Sequence, residues 1–467
     1  MPKGVFRQRH KKDEERPGER KIKGLSRLRG VKDILFDEYK YWDLVIKKAG
    51  DLANAYSFKR IETPVLESLG LYERTTGKET DIVTKEMYSF IDKNGEKISL
   101  RPEATPGLVR AYIEHGMFNL PQPVKMFWLG PLFRHEKPQS GRLRQHTQID
   151  LEFFGEASPT ADAMLILIAY NFFRELQIDV QIQVNSIGCK ECRKDYIAKL
   201  AEFYKERGKR SRLCDDCKKR FVKNPLRLLD CKEEKCIDIR TGAPQLVDAL
   251  CDDCRAHFVK VLEYLDELDI PYNLNPFLVR GLDYYNRTVF EFWPEENEQG
   301  RQSSLGGGGR YDGLVEHMGG RVTPACGFGI GIERVILKIK EKNIPIIEYD
   351  DNSIIFLAQL GEQARKKCFL LFEELRRAGF KVRQAFTKDS LRAQLEEANR
   401  IGAKFSLILG QKEVLEGTIL IRDMESGIQE VIDYKKLIPR IEKKLENGKA
   451  EGNGGSIVPV EHKKEKN

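Results

Sequence analysis

Residues 130–155, GPLFRHEKPQSGRLRQHTQIDLEFFG, constrain the fold of this 467-residue chain more than any other stretch. An apolar entry, Met126, Phe127, Trp128 and Leu129, leads into a loop carrying Arg134, Lys137, Arg142 and Arg144. After the loop, Gln148, Asp150 and Glu152 alternate with Ile149, Leu151 and Phe153. A period of two predicts a strand, so the pattern reads as strand, basic loop and returning strand. It also puts Gln148, Asp150 and Glu152 on one face of the second strand, beneath a cationic loop. That pairing suits a ligand carrying both phosphate and amine, whereas an isolated hairpin of this composition is an ordinary solvated element.

The rest of the chain supplies partners for this hairpin. Residues 1–24 are basic and nearly devoid of apolar side chains, which predicts a disordered extension. Between 37 and 56, Trp42, Val45, Ile46, Ala49, Leu52, Ala53 and Tyr56 fall on one helical face. RIETPVLES follows as a strand whose Pro64 removes a ladder donor, placing it at a sheet edge or interface. Asn94-Gly95 predicts a hairpin between 87–92 and 97–100. The hairpin delivers LRPEATPGLVR, with Glu103 and Thr105 ahead of a predicted helix. A further helix is expected over 160–176 and a strand over 179–184.

Eight of the ten cysteines then fall between 189 and 254. Cys189/Cys192, Cys214/Cys217 and Cys251/Cys254 have CxxC spacing, and Cys231/Cys236 form CxxxxC. Two such pairs complete the all-thiolate tetrahedral shell preferred by Zn²⁺, and four pairs suffice for two ions; which pairs combine is open. The run KDYIAKLAEFYKERGKR among them reads as a basic amphipathic helix. LVRGLDYY places Arg280 beside Gly281 with Tyr284 and Tyr285 as an aromatic wall. LGGGGRYDG carries Tyr311 after four consecutive glycines, a run no regular element favours without close backbone approach. It is not a phosphate loop of the Walker kind, since no GK[ST] follows. In ACGFGIGIERVILK, Gly327, Gly329 and Gly331 share a strand face that leaves room for a flat base, and Arg334 begins the next helix. From 352 strands and helices alternate, predicting an α/β domain over 350–445, and 446–467 reads as a disordered tail.

A net charge of +8 is mild for general nucleic-acid coating but fits a polyanionic partner. No apolar run is long enough to span a bilayer and no secretory signal opens the chain, so reduced thiols and a cytoplasmic location are expected, with no membrane partner.

Residues 130–155 resemble motif 2 of the class II aminoacyl-tRNA synthetases, and FRHEKPQSGRLRQHTQ is similar to their histidyl members. The helix and proline strand resemble motif 1, and the glycine strand with Arg334 resembles motif 3. LVRGLDYY resembles the block that distinguishes the histidyl enzymes. The resemblance implies an α+β chain. A catalytic core, an antiparallel sheet flanked by helices, would span 25–180 and 261–345. A helical Cys-rich insertion at 181–260 would interrupt it, and a C-terminal α/β anticodon-binding domain would follow. It implies activation of L-histidine by ATP with Mg²⁺, transfer to tRNA(His), and a homodimer. Arg134, Arg280 and Arg334 are then the expected catalytic cations, joined by Arg142 in holding ATP. Glu103, Thr105, Gln148, Glu152, Tyr284, Tyr285 and Tyr311 would line the histidine pocket, and Lys137, Gln139 and Arg142 would meet the tRNA acceptor end. The family has arginine where this chain has Lys137, a point charge in place of a planar fork. The insertion, with structural Zn²⁺ on the eight cysteines, would lean on the acceptor stem. Two rivals compete: a non-catalytic paralogue such as the regulatory subunit of ATP phosphoribosyltransferase, which lacks the RGLDYY block and the C-terminal domain, and a zinc-dependent RNA-binding module on a synthetase scaffold.

Overall fold

The computed structural model describes residues 25–77, 80, 82–295, 304–346 and 354–452. The expected extension at 1–24 and positions 453–467 of the expected tail lie outside them. The chain forms two compact units, 1–346 and 347–467.

The strands of the first unit are β1 (Lys59–Ile61), β2 (Leu66–Ser68), β3 (Ser89–Ile91), β4 (Lys97–Leu100), β5 (Val124–Phe133), β6 (Gln145–Phe154), β7 (Val180–Ser186), β8 (Tyr272–Leu274), β9 (Asn286–Pro294), β10 (Gly306–Arg310) and β11 (Ala325–Gly331). Eight of them build one sheet in the order β1-β5-β6-β11-β10-β9-β7-β8, while β2-β4-β3 form a small second sheet. The large sheet is antiparallel through its centre and parallel only where β1 meets β5 and β8 meets β7. Helices flank it, as the resemblance implied.

Alternation along β6 decides which face does what. Ile149, Leu151 and Phe153 join Phe127, Leu129, Phe290 and Phe328 against the helices Phe36–Ala55, Pro159–Glu175, Asp252–Glu267 and Ile332–Glu341, through residues such as Val45, Leu165, Val261 and Val335. Each such fully buried side chain contributes roughly 1.5–3 kcal/mol. The opposite face is left to Gln148, Asp150 and Glu152.

Three local expectations change. RIETPVLES is not one strand: β1 and β2 belong to different sheets with Pro64 between them, because proline cannot donate to either ladder. The carbonyls of Thr63 and Pro64 instead accept from Arg101 Nη1 at 2.6 and 3.3 Å. The four glycines do form a strand, β10. A Cβ on Gly308 would lie 2.0 Å from the Gly327 carbonyl, so its neighbours come closer than any side chain permits. The basic helix is interrupted: Lys190–Lys205 ends, Gly208 turns at φ +70°, and Lys209–Arg212 follows separately. The insertion also starts later than 181, since residues 180–186 are β7 of the main sheet, and its last helix, Asp252–Glu267, packs back on that sheet's helical layer.

The second unit holds β12 (Ile355–Gln359), β13 (Val382–Gln384), β14 (Phe405–Leu409), β15 (Thr418–Asp423) and β16 (Gln429–Asp433), ordered β13-β12-β14-β15-β16. The first three are mutually parallel and the last two antiparallel, giving the mixed α/β domain expected. Alternation on β12 buries Ile355 and Leu357 against Leu371 and Leu375, and Phe356 and Ala358 against Ala398. The helix Leu437–Gly452 carries the chain past 446, where a disordered tail was expected; a helix anchored by buried Leu437 and Ile441 propagates cheaply into a Glu/Lys/Ala-rich end.

Candidate active site

The polar face of the sheet opens into a cavity of about 650 Å³. Arg134, Arg280 and Arg334, far apart in sequence, all line it. So do Glu103, Thr105, Arg142, Gln148, Glu152, Tyr284 and Tyr285.

Each cation is anchored by acceptors of the protein. Arg134 Nε donates to the Pro102 carbonyl at 2.8 Å, and Arg334 Nε to the Gly141 carbonyl at 3.0 Å. Gly141 takes φ +69° at the loop's turn, a conformation glycine reaches without strain. Arg280 Nη1 pairs with Glu291 at 2.6 Å, and the other Glu291 oxygen accepts from Trp293 Nε1 at 2.9 Å. A Cβ on Gly307 would stand 2.7 Å from Arg280 Nη1, so this glycine keeps space for the guanidinium.

The acidic side is buried. Glu152 accepts from Thr105 Oγ1 at 2.8 Å and from the Tyr311 hydroxyl. Glu103 accepts from Thr76 Oγ1 and, at 2.9 Å, from the Tyr284 hydroxyl. Burial pushes the Glu152 carboxyl up to about 7 despite the Tyr311 and Thr105 hydrogen bonds. Burial also raises Glu103, and burial together with Glu152 raises Asp150. His146 is driven down to about 3 by burial and by Arg134 and Arg334. Asp150 Oδ2 and Arg280 Nε are buried with no hydrogen-bond partner among the described residues. The cavity thus presents cations to one part of a ligand and poorly solvated carboxyls to another, the complement of a phosphate joined to an amine or imidazole.

Some expectations move. Tyr311 lies behind the wall with its hydroxyl on Glu152, and its ring packs edge-on against Tyr284 and Tyr285 at 5.7 and 6.3 Å. Gly327, Gly329 and Gly331 all line the cavity, and at the first two the missing side chain also makes room for acidic and amide neighbours. A Cβ on Gly327 would fall 1.4 Å from Glu152 Oε2, and one on Gly329 2.1 Å from Gln148 Nε2. Lys137 and Gln139 are exposed on the loop, outside the cavity lining. Thr76, Glu291 and Glu333, whose carboxylate accepts from the Thr147 amide at 2.8 and 3.0 Å, escaped the sequence reading. Only Glu333 had a signal, its place beside Arg334.

The insertion also contributes to the cavity, through Arg227, Asp230, Lys232 and Arg240. Its cysteines gather into two groups, Cys189/Cys192/Cys251/Cys254 and Cys214/Cys217/Cys231/Cys236, with the sulfurs of each within 4.8 Å of one another. All are free thiols. Backbone amides point at them: Cys251 N lies 3.1 Å from Cys192 Sγ and Cys214 N 3.3 Å from Cys236 Sγ. Soft sulfur donors in fours, with amides supporting the thiolates, fit a tetrahedral structural ion.

Residues 88–343 match the tRNA synthetase class II core domain (G, H, P, S and T), and 352–444 match an anticodon binding domain. The histidine–tRNA ligase of Dehalococcoides mccartyi strain 195 is 45% identical over 418 residues, 89% of this chain and 99% of its own. The chain belongs to the histidyl-tRNA synthetase family. Another member, the histidine–tRNA ligase of Fervidobacterium nodosum, is 45% identical over 86% of this chain and 94% of its own. The apo crystal structure of Staphylococcus aureus histidyl-tRNA synthetase superimposes with a TM-score of 0.75 at 32% identity, covering 90% of this chain and all of that one. A Bacillus halodurans protein described as an ATP phosphoribosyltransferase regulatory subunit/histidyl-tRNA synthetase, 19% identical with a TM-score of 0.57 over 82% of this chain and 97% of its own, shares the fold alone. Among the described residues no helix of this histidyl-tRNA synthetase family member is long and apolar enough to cross a membrane.

Proposed function

We propose that this protein activates L-histidine with ATP and transfers it to tRNA(His). In the first step a histidine carboxylate oxygen attacks the α-phosphorus of Mg²⁺·ATP, and the bond to the pyrophosphate oxygen breaks. Charge builds on phosphoryl oxygens, so fixed cations are the main requirement. Arg134 and Arg280 take the α-phosphate from opposite sides, while Arg334 and Arg142 hold the departing phosphates. Glu152 and Tyr285 meet the two imidazole nitrogens; Glu103, Thr105 and Gln148 take the amine. Tyr311 and Tyr284 act one bond back, holding Glu152 and Glu103. In the second step a terminal ribose hydroxyl of tRNA attacks the acyl carbon and AMP leaves. Lys137, Gln139 and Arg142 on the exposed loop meet the acceptor end there, and the C-terminal unit meets the anticodon.

The single observation that carries this reading is the convergence of Arg134, Arg280 and Arg334 with Glu103 and Glu152 around one cavity. Histidine-dependent exchange of pyrophosphate into ATP tests it. Exchange with histidine and with no other amino acid, followed by charging of tRNA(His), is the expected result; a protein that binds histidine without exchange is a regulatory paralogue instead.

The two cysteine groups each supply four thiolates for one Zn²⁺, which would cross-link the insertion as a small core does elsewhere. The exposed apolar side chains Phe36, Leu66, Phe90 and Ile91 support the homodimer expected from the motif 1 segment. The cytoplasm, where tRNA is charged for translation, is the corresponding location.

A further inference from the structure

Behind the histidine pocket lies a charged cluster that none of the expected roles uses. Arg310 is fully buried, and every donor of its guanidinium faces inward. Nε meets both oxygens of Asp162 at 3.2 and 3.0 Å, and Nη2 reaches Asp162 Oδ2 and the Ser158 carbonyl, the latter at 3.0 Å. Nη1 donates to the Glu156 carbonyl at 2.8 Å and to Asp312 Oδ1 at 3.0 Å. Asp162, equally buried in the first turn of the helix Pro159–Glu175, also pairs with His257 Nε2 at 3.2 Å. His257 Nδ1 in turn lies 3.2 Å from Arg287 Nη1, which sets the tautomer: Nε2 carries the proton and Nδ1 accepts.

A buried ion pair of this kind adds little stability over apolar packing of equal volume, so its use lies in specifying one geometry. What it specifies is visible in the strand. The register between β9 and β10 shifts at Gly309/Arg310 through a bulge on β9, where Arg287 and Thr288 are passed over, so β10 ends its pairing with β9 at Arg310, directly before Tyr311. The Tyr311 amide donates to the Ala325 carbonyl at 2.8 Å and its hydroxyl donates to Glu152. Release of Arg310 would free the end of β10 and with it the hydroxyl that orients Glu152.

We propose that Asp162 is a positioning residue for histidine recognition, acting through Arg310 and the bulge to hold Tyr311 against Glu152, with His257 fixing Asp162 from behind. The proposal rests on the reading of Glu152 as the imidazole-binding carboxylate. A misplacement of about an ångström at such a contact costs up to about 10²-fold, so the loss falls on histidine while the arginine-held ATP is spared.

The test uses the full chain with Asp162→Asn and His257→Gln, each alone and combined with Tyr311→Phe. Histidine affinity is measured by calorimetry without ATP, and KM for histidine and for ATP in pyrophosphate exchange. Each single variant should weaken histidine on the order of 10-fold or more with KM for ATP unchanged, and neither should add to the loss in the Tyr311→Phe background. Unchanged histidine affinity, equal losses for histidine and ATP, or losses that multiply on top of Tyr311→Phe would overturn it. His257→Gln removes one outer bond of the carboxylate and carries the same test where Asp162→Asn does not fold. Absence of histidine-dependent exchange in the wild type overturns the reading of Glu152; an active wild type with unaffected variants overturns only the role of Asp162.

Discussion

Tyr311 donates its hydroxyl to Glu152 from a position 159 residues further along the chain, and the carboxylate's second oxygen accepts from Thr105 at 2.8 Å. The carboxylate is thereby aimed from two sides before any ligand arrives, and its orientation is a property of the fold. Preorganisation of this sort is what lets a buried polar group discriminate between ligands.

Glu152→Gln should therefore raise KM for histidine by at least about 10²-fold while changing KM for ATP little, because a buried polar group left mismatched discriminates strongly. Pyrophosphate exchange measured at varied histidine and varied ATP checks this. Equal loss on both substrates would remove Glu152 from the imidazole pocket.

The same residue makes unliganded stability depend on pH. Its carboxyl is raised by burial to about 7 from the ordinary value of 4.5. Between those values the folded chain keeps a proton that the unfolded chain has lost, so this group's contribution falls as pH rises from 4.5 to about 7 and is level above. Replacing it with the neutral Gln removes the penalty. The Tm gain of Glu152→Gln over wild type should be larger at pH 8 than at pH 5, by calorimetry without substrate; Glu333, also raised by burial to about 7, is present in both proteins and cancels.

Gly327→Ala places a methyl 1.4 Å from Glu152 Oε2 and 2.8 Å from the Leu151 carbonyl. Overpacking at such a site costs about 1–3 kcal/mol of stability. Histidine activation should be lost along with it. A variant that keeps wild-type KM for histidine would show that the two strands separate more easily than this packing allows.

Metal analysis of protein purified without chelator should find two zinc ions per chain, one for each group of four cysteines. Cys217→Ser should lower the content toward one and leave the group at Cys189 loaded. Chelation should reduce Tm, since the ligands come together only in the folded state. A chain with no bound metal and unchanged Tm under chelator would leave the thiols as simple buried hydrophobes.

Lys137→Ala should slow tRNA charging and leave histidine-dependent exchange intact, because the side chain is exposed on the loop outside the cavity. The slope of log affinity for tRNA against log salt should become shallower by about 0.7 if one single-strand phosphate contact is lost.

The alternation in 145–154 read directly as the polar face that lines the cavity, and the helix of 36–55 read directly as an amphipathic element with one buried face, because both patterns repeat with the period of the structure that forms. The glycine runs were visible as demands for close approach, yet their beneficiaries, Gln148 and Glu152 on the neighbouring β6 and Arg280 in the connection ahead of β9, leave no trace in the local spacing. Thr76 on Glu103 and Glu291 on Arg280 were invisible for the same reason. Cysteine spacing announced pairs but could not say that Cys189/Cys192 close with Cys251/Cys254 around the nested group at 214–236.

The sequence by itself determined most of the elements, their apolar faces and the residue types that chemistry requires, since these follow from side-chain period and local backbone preference. Tertiary structure alone decided which carboxylate meets which hydroxyl, which thiols gather in fours and which arginines share a cavity. Those contacts join groups that local spacing does not pair, and only strand order and register in the folded sheet, with the packing of the helices of the insertion, bring them together.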